Sequence, residues 1–444
     1  MITPIFDFVK GYSEGKSVRF HMPGHKGACQ LGCEAFDITE ISGADVLYSA
    51  DGIIDESENN LSSLYGTAHS FYSTEGSTLA IKAMLALVSE RVGEERPLIL
   101  AARNVHAAFV RAAALLDLDV RFIYPENGAH LCACLISAED VEREIRLSDR
   151  KPSAVYITSP DYLGNIQDVA AISAVCKANN IPLLVDNAHG AYLRFLEKDI
   201  HPISLGAAMC ADSAHKTLPV LTGGAYLHIS PDYPEYAGRA RGALSLFAST
   251  SPSYLTLSSL DLCNKRLAED YPDKIKSMAE KAVLLKKEIA KLGLAVADSE
   301  PLKIVINEGD RLASYLRSKG IEVEFADSDY TVLMLTPENG DDDFDRLLSA
   351  LGEYYPSNEQ RISPSVKPHQ AVTSIRSAVL SPSETISVDD SVGRISASPT
   401  VSCPPAVPIV ISGEVITEED VKLFKYYGIK TVSVIKNGSK EEYS

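Results

Sequence analysis

The chain has 444 residues, of which 45% are hydrophobic and 23% charged, a composition typical of a globular enzyme with two or three domains. Its formal net charge of −18 argues against nucleic acid and anionic membranes as general partners. The sequence shows neither a signal peptide nor an apolar stretch of the ~20 residues that a membrane span needs. Eight cysteines in a chain of this length do not form a disulfide framework, so we expect a reducing cytoplasm.

The first half of the chain predicts an α/β domain preceded by an arm. Residues 1–60 are rich in Gly and polar residues, with weak periodicity, and predict an irregular arm. Short apolar runs then predict strands at Leu98–Ala101, Val120–Tyr124, Ala154–Thr158, Leu183–Asp186 and Ala225–Ile229. Helical patterns between them cover Thr78–Val92, His106–Leu116, Ala138–Arg146 and Asp168–Asn179. This alternation is typical of a mostly parallel sheet, which binds ligands at the carboxyl ends of its strands.

The second half has the pattern of smaller α+β domains. Helices are predicted over Lys274–Leu292 and Asp343–Tyr354, and strands over Lys303–Asn307 and Thr331–Thr336. Residues 357–400 are rich in Ser and Pro and favour a connector, while Thr417 to Asp420 predicts a helix start. We therefore divide the chain into four parts: an arm (1–60), a large α/β domain (61–268), a small α+β domain (269–356), and a linker with a C-terminal domain (357–444).

Asp186 and Lys216 form the pair most indicative of chemistry. Asp186 ends the apolar run 181–185, typical of a buried parallel strand, and Lys216 lies between an imidazole and a hydroxyl residue. A desolvated lysine can form a Schiff base with an aldehyde, and a buried acid can hold a protonated pyridine nitrogen. Pyridoxal 5'-phosphate (PLP) needs both groups. The alternatives are an acid that caps a turn and a lysine in a surface loop.

A phosphate site and a ring contact are predicted nearby. Gly76, Ser77 and Thr78 open a predicted helix, where hydroxyls and free amides can hold a phosphate dianion; ordinary N-capping is the alternative. His106 follows a predicted strand and could stack on an aromatic cofactor, although a lone histidine is more often a cap or a core residue. His189 and His215 carry the same ambiguity.

A metal site is not expected. His21, His25, Cys29 and Cys33 recur at a spacing that would line one face of a helix. Proline and glycine residues within that stretch disfavour a continuous helix.

The motifs occur in an order that resembles the Orn/Lys/Arg decarboxylase family in its short form, a family of fold-type-I PLP enzymes. The segments that carry the resemblance are Phe20–Gly27, Tyr72–Thr78, Arg103–His106, Ser159–Tyr162, Asp186–Gly190, Ser213–Thr217, Thr250–Tyr254, Ser259–Asp261, Gly393–Ala397 and Cys403–Glu414. The resemblance implies a PLP-dependent transferase-like fold, with a mostly parallel α/β sheet domain and smaller α+β C-terminal domains.

The resemblance also implies roles for individual residues. Lys216 would form the internal aldimine and move protons, Asp186 would keep the pyridine nitrogen protonated, and His106 and Ala188 would cover the two ring faces. The remaining cofactor-binding residues implied are Gly76, Ser77, Thr78, His189, Ser213 and His215. In the family the active site lies at a dimer interface, so Ser249 or Thr250 would reach the phosphate of the neighbouring subunit.

The implied reaction is decarboxylation of lysine, ornithine or arginine, which releases CO₂ and a polyamine-type amine. Glu414 is a candidate for the distal cation of the substrate, and a loop or cap carboxylate is the alternative. Other fold-type-I reactions, such as transamination or lyase chemistry, and a catalytically weak PLP-binding protein are the competing functions. The expected partners are the amino-acid substrate and a second copy of the chain.

Departures from the family pattern concentrate in segments expected to face the substrate. The chain has Cys403–Ala406 in place of Tyr-Pro-Pro-Gly, and Ser412 where Pro precedes Gly-Glu. Asp45–Tyr48 replaces paired acids before Leu-His, and Glu75 stands where Asn or Gln is common. The cofactor motifs are intact, so PLP binding is the firmer expectation.

Overall fold

The computed structural model describes residues 1–89, 95–125, 130–356, 364–399 and 406–437. The chain divides into two compact units, which are described separately. Unit one comprises Met1–Leu87, Pro182–Ser277 and Thr336–Glu338. Unit two comprises Val88–Ile181, Met278–Leu335 and Asn339–Ser444.

The secondary structure is a mixture of helices and strands. In chain order, the helices are α1 (Pro4–Glu14), α2 (Ile53–Tyr65), α3 (Gly76–Leu87), α4 (Ala107–Leu116), α5 (Ala138–Leu147), α6 (Val169–Ala178), α7 (Ala214–Thr217), α8 (Ala237–Ser245), α9 (Tyr254–Ala268), α10 (Tyr271–Lys291), α11 (Asp310–Ser318), α12 (Asp341–Gly352), α13 (Ile375–Leu380) and α14 (Glu418–Tyr426). The strands are β1 (His69–Ser73), β2 (Leu98–Ala102), β3 (Asp119–Ile123), β4 (Ala154–Thr158), β5 (Leu183–Asp186), β6 (Met209–Asp212), β7 (Ala225–Ile229), β8 (Val296–Ala297), β9 (Lys303–Ile306), β10 (Phe325–Ala326), β11 (Thr331–Met334), β12 (Ser383–Ser387) and β13 (Thr431–Ile435).

Seven strands, four in unit one and three in unit two, pair with neighbours in their own unit. Those of unit one follow the order β1-β7-β6-β5, in which β5 and β6 are parallel and β7 is antiparallel to both β6 and β1. Those of unit two follow the order β4-β2-β3 and are parallel. Because β5 and β6 are parallel neighbours, Asp186 and Asp212, their last residues, leave the sheet at the same edge.

Unit one is held together by buried strands and a covering helix. Every residue of β5, β6 and β7 is buried, as expected for apolar strands with both faces covered. Helix α3 packs against β6 and β7 through an apolar surface that includes Leu79 and Met84. The first turn of α3 is thereby fixed at the edge of the sheet.

Unit two contains two smaller sheets, β10-β11-β9-β8 and β12-β13. Helix α14 begins as predicted, because Thr417 and Asp420 form a reciprocal capping box. A buried core of unit two combines residues from several elements: Leu131, Leu163, Val305, Phe325, Val332, Val388, Ile409, Val410, Phe424 and Val434.

Most predicted elements are confirmed, and two interpretations are wrong. The arm is not irregular over 1–60, because it contains α1 and the first part of α2. The connector interpretation fails for residues 364–399, which contain α13 and β12, while 357–363 lie outside the described residues. Strand β12 escaped prediction because its outward-facing positions are polar, so its sequence has little apolar content.

Predicted helix Thr78–Val92 begins at Gly76 and ends at Leu87, and residues 90–94 lie outside the described range. Among the residues that the structure describes, every helix is too short or too polar to cross a membrane.

Candidate active site

Lys216 and His189 lie together in unit one. Lys216 is on the single-turn helix α7 that follows β6, and His189 is in the turn that follows β5. The Nζ atom of Lys216 is 3.1 Å from Nε2 of His189. The sequence placed both near the cofactor but did not predict that they are in contact. An imidazole at this distance can exchange a proton with the amine.

Asp186 is buried at the end of β5 and is 3% exposed. Its Oδ1 accepts a hydrogen bond from the backbone amide of Ala188, at 3.2 Å. A carboxylate buried to this extent requires a compensating charge or hydrogen bonds. The protonated nitrogen of a pyridine ring is such a charge, so the burial of Asp186 fits the predicted cofactor.

The start of α3 is the predicted phosphate cradle. Gly76 has φ of +71°, and a Cβ added there would have no atom within 4 Å, so the space beside the helix start is open. Ser213 donates a hydrogen bond from its Oγ to Oγ of Ser77, at 2.8 Å, and Thr78 is half-buried in the same turn. Two hydroxyls and open space at a helix N-terminus fit the phosphate of PLP.

The loop 221–224 packs against the start of α3. Gly223 accepts a hydrogen bond from the amide of Gly76, at 2.7 Å, and a Cβ at Gly223 would come within 2.7 Å of the Thr74 carbonyl oxygen. Nδ1 of His215 lies 2.9 Å from the carbonyl oxygen of Gly224. His215 therefore packs on the same loop as the predicted phosphate residues.

Glu75, which departs from the family pattern, makes a contact that an amide side chain could also make. Its Oε1 accepts a hydrogen bond from the backbone amide of Ser249, at 2.8 Å. Ser249 and Thr250 are exposed, which leaves them accessible to a second subunit. Their role at a neighbouring phosphate stays a prediction.

His106 and Arg103 belong to unit two. His106 caps α4 by accepting a hydrogen bond at Nδ1 from the amide of Ala108, at 3.1 Å, and it is half-buried. Arg103 is 2% exposed and donates to the carbonyl oxygens of Pro408, at 2.9 Å, and Ile409, at 2.7 Å. Stacking of His106 on the cofactor stays a prediction, whereas Arg103 has a structural role that sequence reasoning missed.

Glu414 is buried within unit two, and its carboxylate contacts residues of the same unit. Its Oε2 accepts a hydrogen bond from the amide of Ile411, at 2.7 Å. The same oxygen is 4.0 Å from Nη2 of Arg103 and 3.7 Å from Nδ1 of His369. These contacts favour the loop-carboxylate interpretation over recognition of a substrate cation.

His21, His25, Cys29 and Cys33 do not share a helix face, since the structure has no helix over 21–33. His21 Nε2 lies 2.6 Å from the Tyr12 hydroxyl, and His25 Nε2 lies 3.1 Å from Asp37 Oδ2. Both histidines are thus engaged within the N-terminal segment.

Asp212, which sequence reasoning missed, links the ends of β5 and β6. Its Oδ1 accepts a hydrogen bond from Nδ2 of Asn187, at 2.8 Å, and its Oδ2 is 3.0 Å from Nε2 of His201. Burial raises the pKa of Asp212, but the neighbouring His201 and His228 outweigh burial and leave the pKa below its ordinary value. The position of Asp212 directly before Ser213, in an apolar run, was the available signal.

Family comparison covers most of the chain. Residues 3–308 match the major domain of Orn/Lys/Arg decarboxylases, and residues 353–434 match the C-terminal domain of the same family.

Several curated relatives match over nearly the full length. The arginine decarboxylase of Bacillus subtilis (strain 168) is 29% identical, with 95% of this chain and 93% of that protein covered. The arginine decarboxylase of Halalkalibacterium halodurans is 28% identical, with 94% and 92% covered.

Solved structures share the fold at low identity. The lysine decarboxylase of Francisella novicida superposes with a TM-score of 0.81 at 17% identity, covering 98% of this chain and 81% of that chain. The serine palmitoyltransferase of Sphingomonas wittichii superposes with a TM-score of 0.56 at 15% identity, covering 79% and 82%. These likenesses confirm the predicted fold class.

Proposed function

Because the chain belongs to the Orn/Lys/Arg decarboxylase family of PLP-dependent enzymes, we propose that it removes the α-carboxyl group of arginine, lysine or ornithine and releases CO₂ and the corresponding amine. The observation that carries the proposal is the 3.1 Å approach of Lys216 Nζ to His189 Nε2, beside the strand end that carries Asp186. Arginine is the first substrate to test, because relatives matched over nearly their full length are named arginine decarboxylases.

The residues of unit one fit PLP. Ser77, Thr78 and Ser213 would hold its phosphate through their hydroxyls, and Asp186 would balance the charge of its ring nitrogen. Bound PLP supplies an electron sink for the carbon that loses CO₂.

Lys216 and His189 would carry out the proton transfers at the site. Lys216 Nζ is the nucleophile that holds the cofactor aldehyde, and it must be unprotonated to do so. His189 Nε2 is close enough to take a proton from this amine and to return it. After CO₂ leaves, the same amine would deliver a proton to the α-carbon of the product.

We also propose a homodimer in the cytoplasm. Val18, Phe20, Met22 and Leu31 are 77%, 93%, 67% and 88% exposed, which makes one N-terminal segment unusually apolar for a free surface. A second copy of the chain would cover this segment. The free thiols of the described cysteines support a reducing compartment.

The cofactor part of the proposal predicts a coloured protein. Purified chain incubated with PLP should gain a visible absorbance band that Lys216→Ala abolishes. Lys265→Ala, at an exposed lysine of α9, should leave the band unchanged. A wild-type chain that takes up no PLP would contradict the proposal.

The reaction is tested on the same protein with a substrate panel. Arginine, lysine and ornithine are supplied separately, and CO₂ and amine are measured; at least one should give both products in equal amounts. Amino transfer to a keto acid without CO₂ release would replace decarboxylation by transamination.

A further inference from the structure

Four side chains with metal-binding atoms converge inside unit one, and none of them has a role in the proposed reaction. They are His201, Cys210, Asp212 and His228, each fully buried. The sheet explains why they meet. Cys210 and Asp212 are two residues apart on β6 and therefore share a face, and His228 on β7 is the cross-strand partner of Cys210.

Three of the separations between these donor atoms are close to the edges of a coordination tetrahedron. Oδ2 of Asp212 is 3.0 Å from Nε2 of His201 and 3.4 Å from Nε2 of His228. Sγ of Cys210 is 3.8 Å from Nε2 of His201, and it lies 3.5 Å from Oδ1, the other carboxylate oxygen of Asp212. Zinc bonds of about 2.0–2.2 Å to N or O and about 2.3 Å to S imply edges of roughly 3.3–3.7 Å.

One atom of the cluster points to a missing ligand. Nε2 of His228 is buried and forms no hydrogen bond, although it faces the Asp212 carboxylate. The other ring nitrogen, Nδ1, is 2.7 Å from Oγ of Ser70. A proton on Nδ1, donated to Ser70, would leave the Nε2 lone pair directed at the cluster, as in metal-bound histidines.

Charge and support also favour a divalent ion. A thiolate and a carboxylate together neutralise one M²⁺, so the filled site would carry no net charge in a fully buried setting. Asn187 holds Oδ1 of Asp212 through a 2.8 Å hydrogen bond, which orients the carboxylate. We infer that His201, Cys210, Asp212 and His228 bind one zinc(II) ion.

The alternative is a metal-free hydrogen-bond network around Asp212. In that arrangement Nε2 of His201 carries the proton, consistent with the 3.4 Å contact of its Nδ1 with the amide of Ile203. The two arrangements differ in composition, because only one contains a metal. Metal analysis therefore separates them without any measurement of activity.

The site is expected to load during folding, since its ligands are fully buried. The test is to express the full chain in zinc-supplemented medium, dialyse it against EDTA and measure zinc after denaturation. We expect about one zinc per chain in the wild type, and at least a fivefold lower content in Cys210→Ala and in Asp212→Asn. Cys176→Ala removes another buried thiol, in α6, and should retain the metal.

A second measurement does not depend on the variants. Wild-type protein produced with cobalt(II) should show the thiolate-to-cobalt charge-transfer band in the near ultraviolet and the intense visible bands of tetrahedral cobalt. Zinc-free wild type without a cobalt spectrum would overturn the inference, and so would equal zinc in the wild type and both variants.

Discussion

Glu75 illustrates how a departure from the family pattern can keep its function. The residue that usually stands there is an amide, and the carboxylate of Glu75 still accepts the hydrogen bond from the amide of Ser249. The bond ties the phosphate loop to the segment that carries Ser249 and Thr250. A side chain outside the cofactor site thereby fixes two loops that the proposed site needs.

Removing this bond should weaken cofactor binding. We expect Glu75→Ala to raise the dissociation constant of PLP about two- to twelvefold, since one hydrogen bond contributes about 0.5–1.5 kcal/mol. Glu75→Gln keeps an acceptor and should stay close to the wild type. Fluorescence titration with PLP measures both, and an alanine variant with unchanged affinity would argue that the loop is fixed by other contacts.

Site residues were predicted from the sequence where they lie in a short motif. They were missed where the contacting residues are far apart in the sequence. Gly76 and Ser77 were recognised from a local pattern and Ser213 from the family resemblance, and the structure brings Ser77 and Ser213 into contact. His201 and His228 were not recognised: His201 lies in the segment before β6, and only the register of β6 against β7 places His228 near Asp212. That register is a property of the sheet and leaves no short-range signal.

At the scale of elements, helix α1 is anchored by a residue far along the chain. The amides of Ile5 and Phe6 donate to Oδ2 of Asp261 in α9, at 2.9 and 3.0 Å. Oδ1 of Asp261 accepts a hydrogen bond from Ser57 of α2. One carboxylate thus joins three helices, and helix α1 needs this long-range cap because no side chain of its own caps its start.

The anchor predicts a pH dependence of stability. Burial raises the pKa of Asp261 to about 6, although the bonds from Ser57, Phe6 and Ile5 lower it. An unfolded aspartate titrates near 3.9, so the folded state binds more protons between about pH 4 and 6. The stability contributed by the protonated form is therefore complete below about pH 4 and is lost as the pH rises through about 6.

Asp261→Asn should remove this dependence. We expect the free energy of unfolding to fall less steeply between pH 4 and 7 in the variant than in the wild type, as measured by urea unfolding followed by circular dichroism. Asp273→Asn, at an exposed carboxylate of α10, serves as the control. Parallel pH profiles for the wild type and Asp261→Asn would contradict the assignment.

Element prediction was reliable for the buried strands and weak elsewhere. The bounds of β4, β5 and β7 agree with the sequence pattern because strands buried along their length form continuous, mostly apolar runs. Helix α1 was missed because a distant carboxylate stabilises it. Strand β12 was missed because its partner β13 and the core beneath it supply the stability that its own composition lacks.

At the scale of the whole molecule, the exposed N-terminal segment predicts self-association. Replacing Phe20 and Met22 together by Asp should convert the proposed dimer into a monomer, because two charges would be buried in the interface. Light scattering should show a mass near 48.0 kDa for the double variant and about twice that for the wild type.

Leu147→Asp provides the matched control, since Leu147 is also exposed, at 64%, but lies at the end of α5, outside the apolar segment. It should remain dimeric. A monomeric wild type would contradict the proposed dimer. A double variant that remains dimeric would show that the N-terminal segment is not in the interface.

Unit one is built from separate chain segments, so its folding during translation must wait for the later segment. Residues Met1–Leu87 cannot complete their fold until Pro182–Ser277 has been synthesised, because β1 pairs with β7 and α1 is capped by Asp261. Translation at about 5–20 residues per second completes the second segment roughly 10–40 s after the first. Throughout that interval α3 lacks β6 and β7, and α2 lacks α9, against which they pack in the folded protein. The nascent chain is therefore most exposed to aggregation while the intervening residues of unit two are being made.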